Sequence, residues 1–185
     1  MSAPLRFRDV SLRRGGRLLF EGLNFELNAG DALQVSGRNG SGKSSLIRLA
    51  AGLLTAERGE VDRPALALAD DALALDGEQP LSASLSFWGG DVDAALAHFG
   101  IAHLAAVPVR LLSSGQLKRA TLARVQASRV PLWLLDEPLN ALDTHGVERL
   151  GIALEKHRAG GGAVLAASHQ PLTGAWRQIE LGQSA

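Results

Sequence analysis

Ala32-Leu33-Gln34-Val35-Ser36-Gly37-Arg38-Asn39-Gly40-Ser41-Gly42-Lys43-Ser44 is the stretch that decides the fold. Its second part has the spacing Gly-x4-Gly-Lys-Ser, a phosphate-cradling P-loop. Ala32–Val35 is an apolar run that predicts a buried strand, and Ser45–Ala51 opens a helix that stops at Gly52. Strand, glycine loop and helix in that order aim backbone N–H groups and a positive helix end at an anion. Gly37, Gly40 and Gly42 let the backbone pass close to phosphates where a Cβ would clash. Lys43 places a charge on the β- and γ-phosphates of a nucleotide, and the Ser44 hydroxyl is a Mg²⁺ ligand.

The composition bounds what surrounds this motif. A chain of 185 residues, 46% hydrophobic and 21% charged, fits one soluble globular domain with a real core. Lys plus Arg and Asp plus Glu number 19 each, which removes the overall charge expected of a nucleic-acid binder. With no cysteine, disulfides, cysteine zinc sites and thiol catalysis are excluded. The longest apolar runs, Ala65–Ala69 and Val130–Leu135, fall far short of the ~18 residues that cross a bilayer. Met1–Arg6 has no apolar secretion core, so no export is expected and any membrane role must come through a partner.

Along the chain, residues 5–27 predict antiparallel strands. Leu23–Leu27 alternates with period two, and Gly15-Gly16 marks a turn. Residues 53–112 are the least legible. Within them Asp91 and Asp93 open a short helix over Val92–Phe99, which Gly100 ends. Pro80 and Pro108 punctuate a region expected to form a small helical lobe at about 70–125. A helix is predicted from Ser113 or Ser114 to about Ser128, another over Val147–Arg158, and buried strands over Val130–Leu135 and Ala163–Ala167. Strands alternating with helices after residue 30 predict an α/β architecture.

Leu132–Leu135 delivers Asp136 and Glu137 to the end of a buried strand. Ligands of open α/β sheets bind at the carboxyl ends of strands. Asp136 is therefore the expected Mg²⁺ partner of Ser44, acting through a metal-bound water, and Glu137 the expected general base. Twenty residues before Asp136 lies Leu112-Ser113-Ser114-Gly115-Gln116, by itself only a helix cap. Together the three motifs resemble the ATP-binding cassette family, whose signature Leu-Ser-Gly-Gly-Gln has Ser114 here in place of its first Gly. Leu139–Asp143 is similar to the family's D-loop, and His169 in Ser168-His169-Gln170-Pro171 to its switch histidine. A narrower resemblance, carried by Leu19–Phe25, Ser168–Leu172 and Leu142–Val147, is to the ATP-binding subunits of heme exporters in cytochrome c maturation.

The resemblance implies a P-loop NTPase fold of the cassette type: a RecA-like core sheet, an N-terminal antiparallel β part and a short helical subdomain, in a single domain over 1–185. It implies Mg-dependent ATP hydrolysis at the cytoplasmic face of the inner membrane by a subunit that drives membrane permease subunits. Gly37, Arg38, Asn39, Gly40, Ser41, Gly42, Lys43, Ser44 and Ser45 would hold one ATP, with Ser44 and Asp136 on Mg²⁺. Two copies would dimerise head to tail, so that Ser113, Ser114, Gly115 and Gln116 face the partner's ATP. Lys43, Glu137 and His169 would carry the chemistry, and Asp143 would couple the two sites. A regulatory ATP-binding module with weak hydrolysis, or the ATPase of a different transporter, shares these motifs. A soluble cassette ATPase of translation or repair is disfavoured by the single cassette without a long insertion.

Two departures stand out. The family's adenine-stacking aromatic is missing near Arg13-Arg14, where the Arg14 guanidinium is the expected substitute. The family's Mg²⁺-sensing Gln falls by register near Asp70 or Asp71, with Gln79 late, and that role stays open. His98, His103, His145 and His157 predict ordinary surface histidines; without Cys-x-x-Cys-His no heme is expected on this chain. Phe87 and Trp88 are expected to pack the small lobe rather than to form a groove for a membrane partner.

Overall fold

A computed structural model describes residues 4–70 and 75–182. Two sheets form. The antiparallel one pairs β1 (Leu5–Arg14) with β2 (Arg17–Leu27) and β4 (Arg58–Asp62), in the order β2-β1-β4. The parallel one contains β3 (Ala32–Gly37), β5 (Leu66–Ala69), β6 (Leu132–Asp136), β7 (Ala163–Ala167) and β8 (Arg177–Leu181), in the order β5-β6-β7-β3-β8. Two paired aromatics, Phe7 and Phe25, face each other in register across β1 and β2 and stack with ring centroids 4.4 Å apart.

At β6 and β7 the parallel sheet is apolar on both faces, which explains why these strands read as continuous hydrophobic runs rather than alternating ones. One face, carrying Leu33, Val35, Leu132, Leu134 and Leu165, packs on α1 (Lys43–Ala50) and the antiparallel sheet. The other, carrying Trp133, Leu135, Val164 and Ala166, packs on α4 (Ser114–Ala127), α5 (Thr144–Ala159) and the small helices α2 (Leu81–Ser86) and α3 (Val92–His98). The α/β architecture with its antiparallel part and short helices is as expected. The sequence pattern, however, predicts no strand at β4, β5 or β8.

Caps set the helix starts. The Asp91 carboxylate accepts from Ala94 N at 3.1 Å to open α3, and Gly100 (φ 70°) closes that turn in the left-handed region. The carboxylate of Asp143 accepts from Gly146 N at 2.8 Å to open α5. Both carboxylates sit at positive helix ends, where a negative charge is stabilised.

Two aromatic expectations are corrected. Phe87 is 83% exposed, and its ring contact is edge-on to Trp88 at 5.4 Å, so it does not pack the lobe. Trp88 instead lies under the Arg124 guanidinium, 4.7 Å from the ring centroid. His157 is not an ordinary surface histidine. It lies flat on Trp133 at 3.9 Å, with Nε2 3.3 Å from Ala163 O. Burial pushes its pKa below the usual imidazole range, partly offset by its hydrogen bonds to backbone carbonyls. The unfolded chain therefore binds this proton more tightly than the folded one. The contribution to stability is complete above the unfolded pKa of about 6.5 and is lost as pH falls below it. Thermal melts between pH 7.5 and 5.5 should show Tm falling on acidification. His157→Phe, which keeps the stack but cannot titrate, should flatten that slope; an unchanged slope would assign the acid sensitivity elsewhere.

Candidate functional site

The phosphate loop bridges β3 and α1, and close approach requires a glycine at its start. At Gly37 (φ 138°), an added Cβ would lie 2.4 Å from Leu181 O and 2.8 Å from Ser41 Oγ. Lys43 opens α1 and is 6% exposed. Its ammonium folds back into the loop, donating to Gly37 O at 2.9 Å and reaching Arg38 O at 3.4 Å. Ser41 Oγ is buried without a hydrogen-bond partner among the described residues. A buried ammonium held only by carbonyls, beside an orphan hydroxyl at a helix N-terminus, is a donor set that suits a phosphate. Ser44, Arg38, Asn39 and Gly40 are exposed at the loop's mouth, and Ser45 is buried behind them.

Asp136 ends β6 in register with Ala167 of β7 and is 7% exposed. Because β7 lies between β6 and β3, the carboxyl ends that carry Asp136 and Gly37 are two strand spacings apart, about 10 Å. That gap is wide enough for phosphates and a hydrated cation. One hydroxyl and one carboxylate with substrate oxygens is the donor set Mg²⁺ favours, so Ser44 and Asp136 fit the ion.

The chain leaves the strand sharply after Asp136. Glu137 has φ 45°, a left-handed conformation rare for a side chain other than Gly, while its N–H still donates to Ala167 O at 2.8 Å. This turn separates the two acids: Asp136 stays in the ladder and Glu137 swings toward the loop after β7. There Glu137 Oε2 meets His169 Nδ1 at 2.7 Å, with Glu137 18% and His169 49% exposed. The other ring nitrogen, Nε2, lies 3.3 Å from Gln170 Nε2. Arg38, Asn39, Glu137, Asn140 and His169 line one open cleft of about 700 Å³. Lys43, Glu137 and His169 thus fall at the same end of the sheet.

The remaining predicted residues have in-chain roles that motifs do not reveal. Ser113 and Gln116 form a reciprocal capping box: Ser113 N donates to Gln116 Oε1 at 2.9 Å, and Gln116 N to Ser113 Oγ at 3.3 Å. The amides of Ser114 and Gly115 remain at the positive end of α4, which lacks intrahelical acceptors for them. An added Cβ at Gly115 would meet Ala141 O at 2.9 Å. Ser114, at the first helical position, needs no such clearance, which explains why the signature tolerates Ser there. Besides capping α5, Asp143 pairs with Arg119 of α4, and these contacts hold its carboxyl below the usual range. The D-loop acid is thereby tied to its own signature helix.

Arg14 Nη1 lies 3.5 Å from Ser45 Oγ, which puts the β1–β2 turn beside the start of α1. Asp70 is half-buried, its carboxylate 3.8 Å from Arg48 of α1, with the Arg124 guanidinium also close. Asp71 lies outside the described residues, and Gln79 is exposed. Sequence patterns missed Gln34, which belongs to no motif; only tertiary contact joins it to the turn that carries His169.

A parallel sheet with a P-loop at one carboxyl end and an acidic pair at another defines an α/β P-loop nucleotide-binding protein. The family described as ABC transporter matches residues 20–140. The chain is 55% identical to the cytochrome c biogenesis ATP-binding export protein CcmA of Novosphingobium aromaticivorans, over 89% of this chain and 87% of that one. It is 51% identical to the protein of the same name from Sphingopyxis alaskensis, over 91% of each, and 43% identical to that of Rhodopseudomonas palustris, over 96% and 98%. It belongs to the ABC transporter family, as an ATP-binding ABC-type ATPase of the CcmA type. The fold is shared with the ATP-binding subunit of an ABC transporter (TM-score 0.83, 20% identity, 90% of this chain and 80% of that one). It is shared too with a bacterial Atm1-family ABC exporter solved with ATP bound (TM-score 0.83, 22% identity, 98% and 37%). Among the described residues no helix is long and apolar enough to cross a membrane.

Proposed function

We propose that this ATPase is the Mg-dependent, ATP-hydrolysing subunit of a membrane export complex in cytochrome c biogenesis, and that heme is the cargo. One observation carries the catalytic part: P-loop, strand-end acid and Glu137–His169 pair all lie at the carboxyl ends of β3, β6 and β7. The role in cytochrome c biogenesis that the relatives' names state carries the pathway. The cargo follows from the resemblance of Leu19–Phe25 and Ser168–Leu172 to heme-exporter subunits.

The loop amides and Lys43 grip the β- and γ-phosphates, and Arg14 lies under the base. Bound Mg²⁺ between Ser44 and Asp136 would neutralise charge on the phosphate oxygens. Glu137 takes the proton of the attacking water, and His169 holds that water and the γ-phosphate in line. A second copy brings the Ser113–Gly115 helix end to the same γ-phosphate, so nucleotide favours a closed head-to-tail dimer and hydrolysis releases it. Asp143, fixed by Arg119, carries the state of one site to the other. The subunit works at the cytoplasmic face of the inner membrane, held there by its permease partners.

Phe87 and Trp88 are the surface this function assigns to the membrane subunits, an exposed aromatic edge suited to an apolar segment of the permease. Affinity purification of the tagged chain from detergent-solubilised membranes should recover integral proteins of cytochrome c maturation. Recovery of a different transporter's permease, or of no integral protein, would contradict the assignment. Phe87→Ser should cut that recovery about tenfold or more while moving Tm little, as expected of an exposed anchor.

A further inference from the structure

β3 runs through the interior of the parallel sheet between β7 and β8. Leu33 and Val35 point into apolar contacts on one face; Gln34, on the other, is only 4% exposed. A buried amide destabilises unless its hydrogen bonds are made, so its partners are informative. All of them lie in one segment. Gln34 Nε2 donates to Gln170 O at 2.8 Å and lies 3.4 Å from Ser168 O, while Leu172 N donates to Gln34 Oε1 at 3.4 Å. These backbone groups bracket His169 on both sides.

Ser168 closes the same turn. It is 1% exposed, and its amide donates to Val35 O at 3.1 Å. Its hydroxyl donates to Gln170 O at 2.8 Å and accepts from Gln170 N at 3.1 Å. His169 is left at the apex with its ring on Glu137.

We propose that Gln34 is a positioning residue for His169. The strand that becomes the phosphate loop three residues later also holds the turn that aims the imidazole at Glu137, so the loop's root and the His–Glu pair form one rigid unit. This inference rests on the catalytic reading of His169 and Glu137 above. Gln34 itself has no route to nucleotide; it acts only through the turn. Gln34→Met keeps length and burial and removes all three contacts, which frees the turn and lets the ring leave Glu137.

The test uses the full-length chain with ¹⁵N-labelled histidine, the His169 signal being assigned by its loss in His169→Ala. In the wild type His169 should show the Nδ1–H tautomer, and in Gln34→Met that bias should be lost. In parallel, Gln34→Met should lower kcat about tenfold or more, with the Kd of a fluorescent ATP analogue within twofold. On a His169→Ala background it should have no further effect, because residues acting through one another are not additive. An unchanged tautomer in Gln34→Met, or losses that multiply with those of His169→Ala, would overturn the inference. If His169→Ala alone leaves kcat unchanged, the catalytic assignment fails while the tautomer shift still decides the positioning role. Should Gln34→Met not fold, hydrogen exchange in the wild type decides: the Leu172 amide should be as protected as core strand amides, and rapid exchange there refutes the clamp.

Discussion

Replacing Glu137 with Gln is expected to lower MgATP turnover by on the order of 10²–10⁴ while leaving nucleotide affinity nearly unchanged, the loss typical of removing a general base. The geometry makes this a clean substitution. Gln has the same shape, so the left-handed turn at φ 45° and the hydrogen bond from Glu137 N to Ala167 O can persist. Its amide oxygen can still accept from His169 Nδ1, which now meets the carboxylate at 2.7 Å. What disappears is the capacity to take a proton from water. Phosphate release under single-turnover conditions, set beside equilibrium binding of a fluorescent ATP analogue, separates the two properties. Turnover retained at the wild-type level would mean that the base is not Glu137.

The second large effect belongs to Lys43. Lys43→Met should raise the Kd for MgATP by about 10² or more. Hydrogen bonds to charged groups contribute about 1.5–3 kcal/mol each, and Lys43 is placed to make one to each of two phosphates. The sum, about 3–6 kcal/mol, corresponds to roughly two to four decades in affinity. Met fills the volume of a side chain that is only 6% exposed, so the loop keeps its packing. The ammonium's present partners are the carbonyls of Gly37 and Arg38, and Arg38 also lines the open cleft. Isothermal titration with MgATP, with a thermal melt as control for folding, measures this directly. Wild-type affinity in Lys43→Met would remove the loop from the nucleotide site.

Much of this was legible in the sequence because the informative residues are local. The P-loop announces itself by glycine spacing; Asp91 and Ser113 mark helix starts through cap chemistry; β6 and β7 appear as apolar runs because helices cover both their faces. Other parts depend on partners distant in the chain. β4, Arg58–Asp62, is largely charged and becomes a strand only by pairing with β1. β8 alternates weakly and is recruited by β3. His157 looks like a helix-end histidine until α5 lays it on Trp133, and Phe87 looks like core until the fold leaves it in solvent. Gln34 interrupts an apolar strand for a reason visible only once residues 168–172 fold back over it.

The site shows the same division. Motifs picked out Asp136 and Glu137, but the backbone turn that leaves one in the strand ladder and brings the other to His169 is a property of the folded chain. Likewise, the cap and ion pair made by Asp143 explain its type without reference to a second subunit, yet leave its carboxylate exposed.

The central claim is that one nucleotide is gripped jointly by the phosphate loop, the β6 acid and a second copy of the chain. A crystal structure of Glu137→Gln with MgATP tests it most directly. The expected result is a head-to-tail dimer holding two nucleotides, each with its γ-phosphate on Lys43, its Mg²⁺ between Ser44 and Asp136, and the partner's Ser113–Gly115 helix end closing over it. A triphosphate bound away from Lys43 and Asp136, or one bound in the loop with the partner's signature turned to solvent, would contradict the account.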